Sequence, residues 1–516
     1  GRGKAKETLP TSGIPDSIRI GNGAGFWGDN LDAPIRLAEQ GALDFLTLEY
    51  LAELTLSILA HQRRLNPEAG YVADFPATVA RLIPILKAQP RLRIVTNAGG
   101  LNPAGCAREV ARLLAAAGMG AEKVAWVSGD DLMPRLDELR AAGERFRHFE
   151  TGEILGHFEA ASTAGSPVGS GGSTAGSSAT SAGSGSAGYS GRETGPAGSA
   201  GMERGGVVSA NVYLGAQPIC EALDRGARIV ITGRVADASL TVGPAMHVFK
   251  WSWDDWDMLA AASAAGHLIE CGAQVTGGLL SRWQTVPDYA HIGYPIAILD
   301  STGRCRITKP EGTGGVVSRE TVTEQLLYEI GDPARYHTPD VTLDFTGADV
   351  IEVGRDLVEV TGVKGVPPPA TLKVSCAYGN GYSAKGDLVV SGRDAAGKAK
   401  ATGEMILDRV GQAGFPLRRK YLEVLGSGAT LPGVETKSGE LKEVVLRISV
   451  WDKDKKAVER FCREISPVIT SGPPGISGYA GSRPKPRPVL SYWPTVVDRD
   501  HVRPVVYVRG AEELSQ

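Results

Sequence analysis

The chain reads as an α/β protein, with a parallel β-α-β core sheet flanked by helices and a more antiparallel α+β second half. Three observations predict this. Short, apolar, β-branched runs alternate with amphipathic segments of helical length, which argues for right-handed βαβ units. Several of those runs stop at a glycine or asparagine with polar side chains immediately after it. Past about residue 305 the alternation gives way to turn-rich, strand-like pieces.

In order, 17–21 predicts a short strand, and 44–49 a strand running into the amphipathic helix 51–64. A helix follows at 78–88, then a strand at 92–96 with its helix at 104–118, and a strand at 123–127 with its helix at 133–142. Residues 161–206 are almost wholly Ser, Gly, Ala and Thr and cannot bury enough apolar surface to offset their ordering entropy. They predict a disordered insertion that divides the core into 1–160 and 207–305, with 306–516 as the α+β region. Beyond the insertion the core series continues with a strand at 207–213, a helix at 216–225 and the strand opened by Arg228. A helix is predicted at 256–271. Strands are predicted at 341–345, 372–375, 387–391, 404–407, 444–451 and 503–508, with a helix at 457–464.

With 516 residues and a formal charge of −3, the chain lacks the basic balance of a nucleic-acid binder. No apolar run reaches the roughly 20 residues of a membrane span. The six cysteines are scattered with no Cys-x-x-Cys, so the sequence predicts neither a zinc site nor a disulfide scaffold and suits a reducing compartment. The first residue is not Met, so a targeting segment is compatible with the sequence and the expected location is cytoplasmic or, after import, organellar.

The richest stretch is RIVITGRVADASL (228–240), where a buried strand ends in a cation, a carboxylate and a hydroxyl. Open α/β sheets place ligands at such carboxyl ends. An Arg234–Asp237 surface pair is the simpler alternative and would be worth little. Asp29, Glu49, Asn97 and Asn211 occupy comparable positions after other strands. For Glu49 the alternative is a first-turn acid of the next helix, and for the asparagines it is turn conformation. The loop GNGAGFWGDN (21–30) contains a Gly-x-Gly-x-x-Gly that suits a phosphate cradle or a plain tight turn. ECGAQVTGG (270–278) ends a helix with Glu270, Cys271 and Gln274. Cys271 with His267 one turn earlier is a conceivable nucleophile–base pair, although a buried cysteine more often serves as a small apolar residue. In KPEGTGG (309–315), Lys309 with Gly312 and Gly314 could hold a phosphate or a coenzyme A pyrophosphate, or simply close a hairpin.

Taken together, GNGAGFWGDN, LTLEYLAELTL (46–56), VTNAGGLNP (95–103), SANVYLGAQPI (209–219), ITGRVADASLTVGP (231–244), ECGAQVTGG, ITKPEGTGGVVS (307–318), TSGPPGISGYAG (470–481) and LSYWP (490–494) resemble the acyclic terpene utilisation (AtuA-like) family. The resemblance spans nearly the whole chain except the Ser/Gly/Ala insertion. It implies a role in catabolism of branched or isoprenoid acyl-CoA thioesters. Relatives stand beside or joined to biotin-dependent acyl-CoA carboxylase parts. The family often continues into a small ferredoxin-like domain, which is not legible in full here.

The resulting expectation is a lyase or hydratase that needs no cofactor or metal, since acids and amides at strand ends suit proton transfer and oxyanion stabilisation. Asp29, Glu49, Asp237 and Glu270 are the expected catalytic groups. Asn97, Asn211, Arg234, Gln274, Lys309, Gly312 and Gly314 are the expected substrate contacts. The expected partner is a small acyl-CoA-like ligand, within a homo-oligomer and without nucleic acid or membrane. The competing expectation is a non-catalytic assembly or regulatory partner of an acyl-CoA carboxylase. A nucleotide-dependent enzyme is a third.

Overall fold

A computed structural model describes residues 15–155, 206–431 and 441–516. The insertion predicted at 161–206 therefore lies, but for Gly206, outside the described residues.

The strands, in chain order, begin with β1 (Ser17–Asn22), β2 (Phe45–Leu48), β3 (Arg93–Thr96), β4 (Lys123–Ser128), β5 (Val207–Val212) and β6 (Ile229–Ile231). They continue with β7 (Ile296–Asp300), β8 (Cys305–Thr308), β9 (Tyr336–His337), β10 (Thr342–Asp344), β11 (Asp349–Gly354), β12 (Leu357–Thr361) and β13 (Lys364–Val366). The last six are β14 (Thr371–Ser391), β15 (Arg419–Leu425), β16 (Glu443–Asp452), β17 (Ile476–Tyr479), β18 (Arg487–Asp498) and β19 (Val505–Gly510).

Ten of these form one sheet in the order β11-β12-β8-β7-β1-β2-β3-β6-β4-β19. Its centre, from β1 to β4, is parallel, with Leu46 opposite Ile94 and both Val95 and Ala125 opposite Val230. Helices cover both faces, so β2 and β6 are buried at every position, as parallel strands require. Antiparallel strands close both flanks. The α/β class and the parallel core are as the alternation of strands and helices predicts.

One step in the order matters for the site. The chain passes from β3 to β4 through the helix Pro103–Ala116 and leaves a vacant place between them, which β6 fills. The end of β6 therefore emerges between the ends of β3 and β4. Arg228, just before β6, is buried and holds its guanidinium against the carbonyls of Leu86, Gln89 and Leu92 and the carboxylate of Glu122. That satisfies its donors and fixes the entry of the strand.

β5 departs from the expected parallel series. It pairs antiparallel with β14 in a six-stranded sheet built on that 21-residue strand. β18 runs along β14, while β16 and β17 flank its second half. The bend comes at a register shift between Gly379 and Tyr382, where Gly381 takes a φ of 74° that disfavours any side chain.

The segment predicted as a strand at 404–407 lies inside the helix Ala395–Gln412. Its short apolar run fits either period, but Asp394 caps the helix through Gly397 N–H and Ala- and Lys-rich residues carry it forward. With that correction the second half of β14, the helix, β15, β16, the helix Lys455–Glu464 and β17 form a β-α-β-β-α-β unit of order β15-β16-β14-β17. The ferredoxin-like arrangement that the sequence obscured is thus complete.

Candidate active site

At the carboxyl edge of the parallel strands the polar ends stand side by side. Asn22 ends β1, Glu49 follows β2, Asn97 follows β3, Arg234 follows β6 and Asp130 follows β4. All five are at least nine-tenths buried.

Asn97 is a bridge rather than a turn former. Its Nδ2 donates to Glu49 Oε1 at 2.6 Å and its Oδ1 accepts from Tyr50 N at 2.8 Å. Glu49 Oε1 also accepts from Leu51 N at 2.9 Å, while Oε2 is buried without a partner. Burial, then the nearby Asp237 charge, raises the Glu49 carboxyl well above the ordinary range despite Arg234 and Asn97.

Arg234 is 3 % exposed and occupies the centre. Its Nη1 donates to Leu51 O at 2.8 Å and Asp237 Oδ1 at 2.9 Å, and stands 3.7 Å from Glu49 Oε1. Its Nε is buried without a partner. The backbone N–H of Arg234 donates to Asp130 Oδ2 at 2.8 Å, and Asn211 Nδ2 donates to the same oxygen at 2.9 Å. Asp130 is absent from the expected site, although its place two residues past a strand end is the same signal that marked the others. Burial pushes its carboxyl up to about 7. Gly233 has no positive φ; it is a glycine because a Cβ there would come within 2.6 Å of Asp130 Oδ1.

Glu270 arrives from the end of the helix Trp256–Ile269. Asn22 Nδ2 binds the carbonyls of Ile269 at 2.8 Å and Glu270 at 2.9 Å, which satisfies the helix end and pins it over β1. Burial, then the nearby Asp237 charge, raises the Glu270 carboxyl well above its ordinary range. His267 Nδ1 lies 3.2 Å from Glu270 Oε1, and burial lowers this imidazole. A neutral imidazole nitrogen beside a protonated carboxyl is a consistent pair. Asp237, with its side chain 33 % exposed, connects the buried group to solvent.

The expected residues therefore divide. Glu49, Asn97, Asn211, Arg234, Asp237 and Glu270 meet in one cluster. Asp29 turns into its own loop, accepting from Gly25 N at 2.8 Å, Asn30 N at 2.7 Å and the Tyr294 hydroxyl. The Gly-rich loop packs tightly, since a Cβ on Gly25 would stand 2.7 Å from the Cys271 carbonyl carbon. Lys309 donates to Thr313 O at 2.8 Å and lies 3.4 Å from Asp356 Oδ2. It thus closes its own turn, which leads from β8 to the helix Arg319–Leu327 and is not a hairpin, and ties it to the β11–β12 turn. Gly312 takes a φ of 76° at the tip, and Gly314 N–H binds His291 O at 2.7 Å. Gln274 is half-buried in the 3-10 turn Gly272–Thr276, and its N–H returns to Cys271 O. His267 faces Glu270 rather than forming a pair with Cys271, whose thiol burial holds far above its ordinary range.

Tyr213, Glu53 and Lys373 also reach the cluster; Glu53 and Tyr213 lie within LTLEYLAELTL and SANVYLGAQPI but are not among the expected site residues. Among the described residues no group of three or more His, Cys, Asp or Glu side chains is spaced to hold a metal ion, and no helix is long and apolar enough to cross a membrane. Two surface concavities, one beside Lys400 and Lys420 and one beside Lys123 and Arg509, lie at other residues. The buried groups with shifted proton affinities and unpaired atoms gather at the strand ends, which makes that edge the candidate site.

Neither the curated proteins nor the solved structures gave a match. A family model described as "acyclic terpene utilisation family protein AtuA" matches residues 18–508. The chain carrying this strand-edge cluster belongs to the acyclic terpene utilisation AtuA family.

Proposed function

We propose that the protein catalyses proton transfer next to the carbonyl of a branched acyl-CoA thioester, as a lyase or hydratase whose acid–base groups come from its own side chains. The observation that carries the reading is one buried arginine that contacts Asp237 and stands 3.7 Å from Glu49, with Glu270 near Asp237; burial raises the Glu49 and Glu270 carboxyls well above the ordinary range, and Asp237 is the more accessible acid. Pairs of acids held in different environments are how a fold supplies both an acid and a base at neutral pH.

In this reading the thioester oxygen lies against Arg234, whose charge and unpaired Nε–H stabilise the enolate that develops there. Asp237 takes the α-proton, with the Glu270 carboxyl beside it, and Glu49 gives its carboxyl proton to the departing β-hydroxyl, which leaves as water as the α,β double bond forms; the reverse sequence hydrates an enoyl thioester. Asn97 and Leu51 N–H orient Glu49, and Asp130 fixes the backbone of Arg234.

The test is exchange of α-protons for deuterium in D2O, followed by mass spectrometry over a panel of branched enoyl- and 3-hydroxyacyl-CoA thioesters. The expected result is thioester-dependent exchange that falls by a factor of about 100 or more in Glu270→Gln and Arg234→Lys, both folded. Binding without exchange in the wild type would overturn the catalytic reading and favour a ligand-binding partner of a carboxylase.

A further inference from the structure

The guanidinium of Arg234 also has an aromatic support. Its Cζ lies 4.2 Å from the centre of the Tyr213 ring. The Tyr213 hydroxyl donates to Glu53 Oε1 at 2.6 Å, and Lys373 Nζ lies 3.5 Å from that oxygen and 4.7 Å from the centre of the ring. The backbone joins the same partners, since Tyr213 N–H binds Lys373 O at 2.9 Å. Tyr213 follows β5, Glu53 opens the helix Glu53–Leu65 and Lys373 belongs to β14, so three elements converge on one ring.

Charge neutralisation does not explain this support. Asp237 already pairs with Arg234, and a further acid alone would serve without an aromatic ring. A ring against the guanidinium fixes the plane of that group, while Leu51 O and Asp237 fix its Nη1 within the plane. The buried, unpaired Nε–H is then left pointing in one set direction, as a preorganised donor must. Lys373 and Arg234 in turn keep Glu53 ionised against the opposing effect of its partial burial, its carboxyl held down to about 2.

We propose that Tyr213, Glu53 and Lys373 are positioning residues, a brace from the second sheet that holds the Arg234 guanidinium in the orientation needed for an oxyanion. The proposal rests on the reading of Arg234 as the anion clamp, but its test does not require turnover.

The full chain is labelled with [15N]arginine, and the Arg234 Nε–H signal is assigned by its loss in Arg234→Lys. Arg228, also buried, is the internal control through its Nε–H bond to Leu92 O. Solvent exchange of the Arg234 signal is expected to quicken about tenfold or more in Tyr213→Leu and Lys373→Met, and less in Tyr213→Phe, which keeps the ring. Lys373→Arg is expected to restore the slow rate, and the Arg228 signal to stay unchanged throughout. Lys373 is partly exposed, so its variants keep the test decisive if Tyr213→Leu does not fold. The proposal fails if the Arg234 signal is unmoved in Lys373→Met, or if Arg228 quickens in step. A wild type that exchanges no thioester proton, yet whose Arg234 signal answers these changes, would refute the proposed reaction while supporting the brace.

Discussion

Replacing Asp130 with Asn tests how completely the strand ends are removed from water. The carboxyl is 2 % exposed, and burial moves it from an ordinary 3.8 to about 7. In the unfolded chain it ionises near 3.8, so between the two values the folded state binds more protons than the unfolded one. Stability then falls as pH rises through that window and levels off above about pH 7. At roughly 1.4 kcal/mol per pH unit over about three units, ionised wild type carries a cost of about 4 kcal/mol that a neutral isostere lacks. Asn supplies an acceptor for Arg234 N and Asn211 Nδ2, so the variant keeps both hydrogen bonds. Paired urea unfolding from pH 5 to pH 8 should show Asp130→Asn gaining on wild type, from about 1–2 kcal/mol at pH 5 to about 4 at pH 8. A difference that does not change with pH, or that runs the other way, would mean Asp130 ionises as it does in water. The closed strand edge would then be wrong.

Gly233→Ala should cost about 1–3 kcal/mol, read as a lowered melting temperature, because its Cβ would meet the Asp130 carboxylate. Asp130→Ala should relieve part of that loss in the double variant. Native protein treated with iodoacetamide at pH 8 should leave Cys271 unlabelled by peptide mass spectrometry, since burial suppresses its thiolate; rapid labelling would reopen the nucleophile reading. Glu270→Gln should gain stability relative to wild type as pH rises above the ordinary carboxylate range, because the folded acid is raised and holds its proton. Parallel pH–denaturation curves for the two proteins would refute that direction.

Much of the first half was legible because each element carries a local signal. The run of Ile229, Val230 and Ile231 ending at Gly233 has one reading, and a strand is what forms. Asn102, just ahead of the helix Pro103–Ala116, caps it through Gly105 N–H at 2.9 Å. Failures came where one pattern supports two structures. Residues 404–407 fit strand and helix alike, and β5 looks like any core strand until its partner is known.

For the site, residue type and place at the end of a strand or helix identified six members of the cluster, but the same criterion also selected Asp29 and Lys309. Asp29 turns back to Gly25 and Asn30, and Lys309 to Thr313 and Asp356. Tyr213, Glu53 and Lys373 could not have been found by spacing. They are far apart in the chain: Tyr213 and Lys373 meet because β5 pairs with β14, and Glu53 joins them from the helix Glu53–Leu65.

By itself, the sequence determined the α/β class, the run of polar strand ends and the family, because periodicity, turn chemistry and ordered motifs are properties of neighbouring residues. Tertiary structure alone decided that β6 enters between β3 and β4, which places Arg234 between Asn97 and Asp130. It also decided that the second sheet crosses the strand edge and buries the cluster. The proton affinities follow from that burial, since desolvation depends on what packs around a carboxyl and not on its neighbours in the chain.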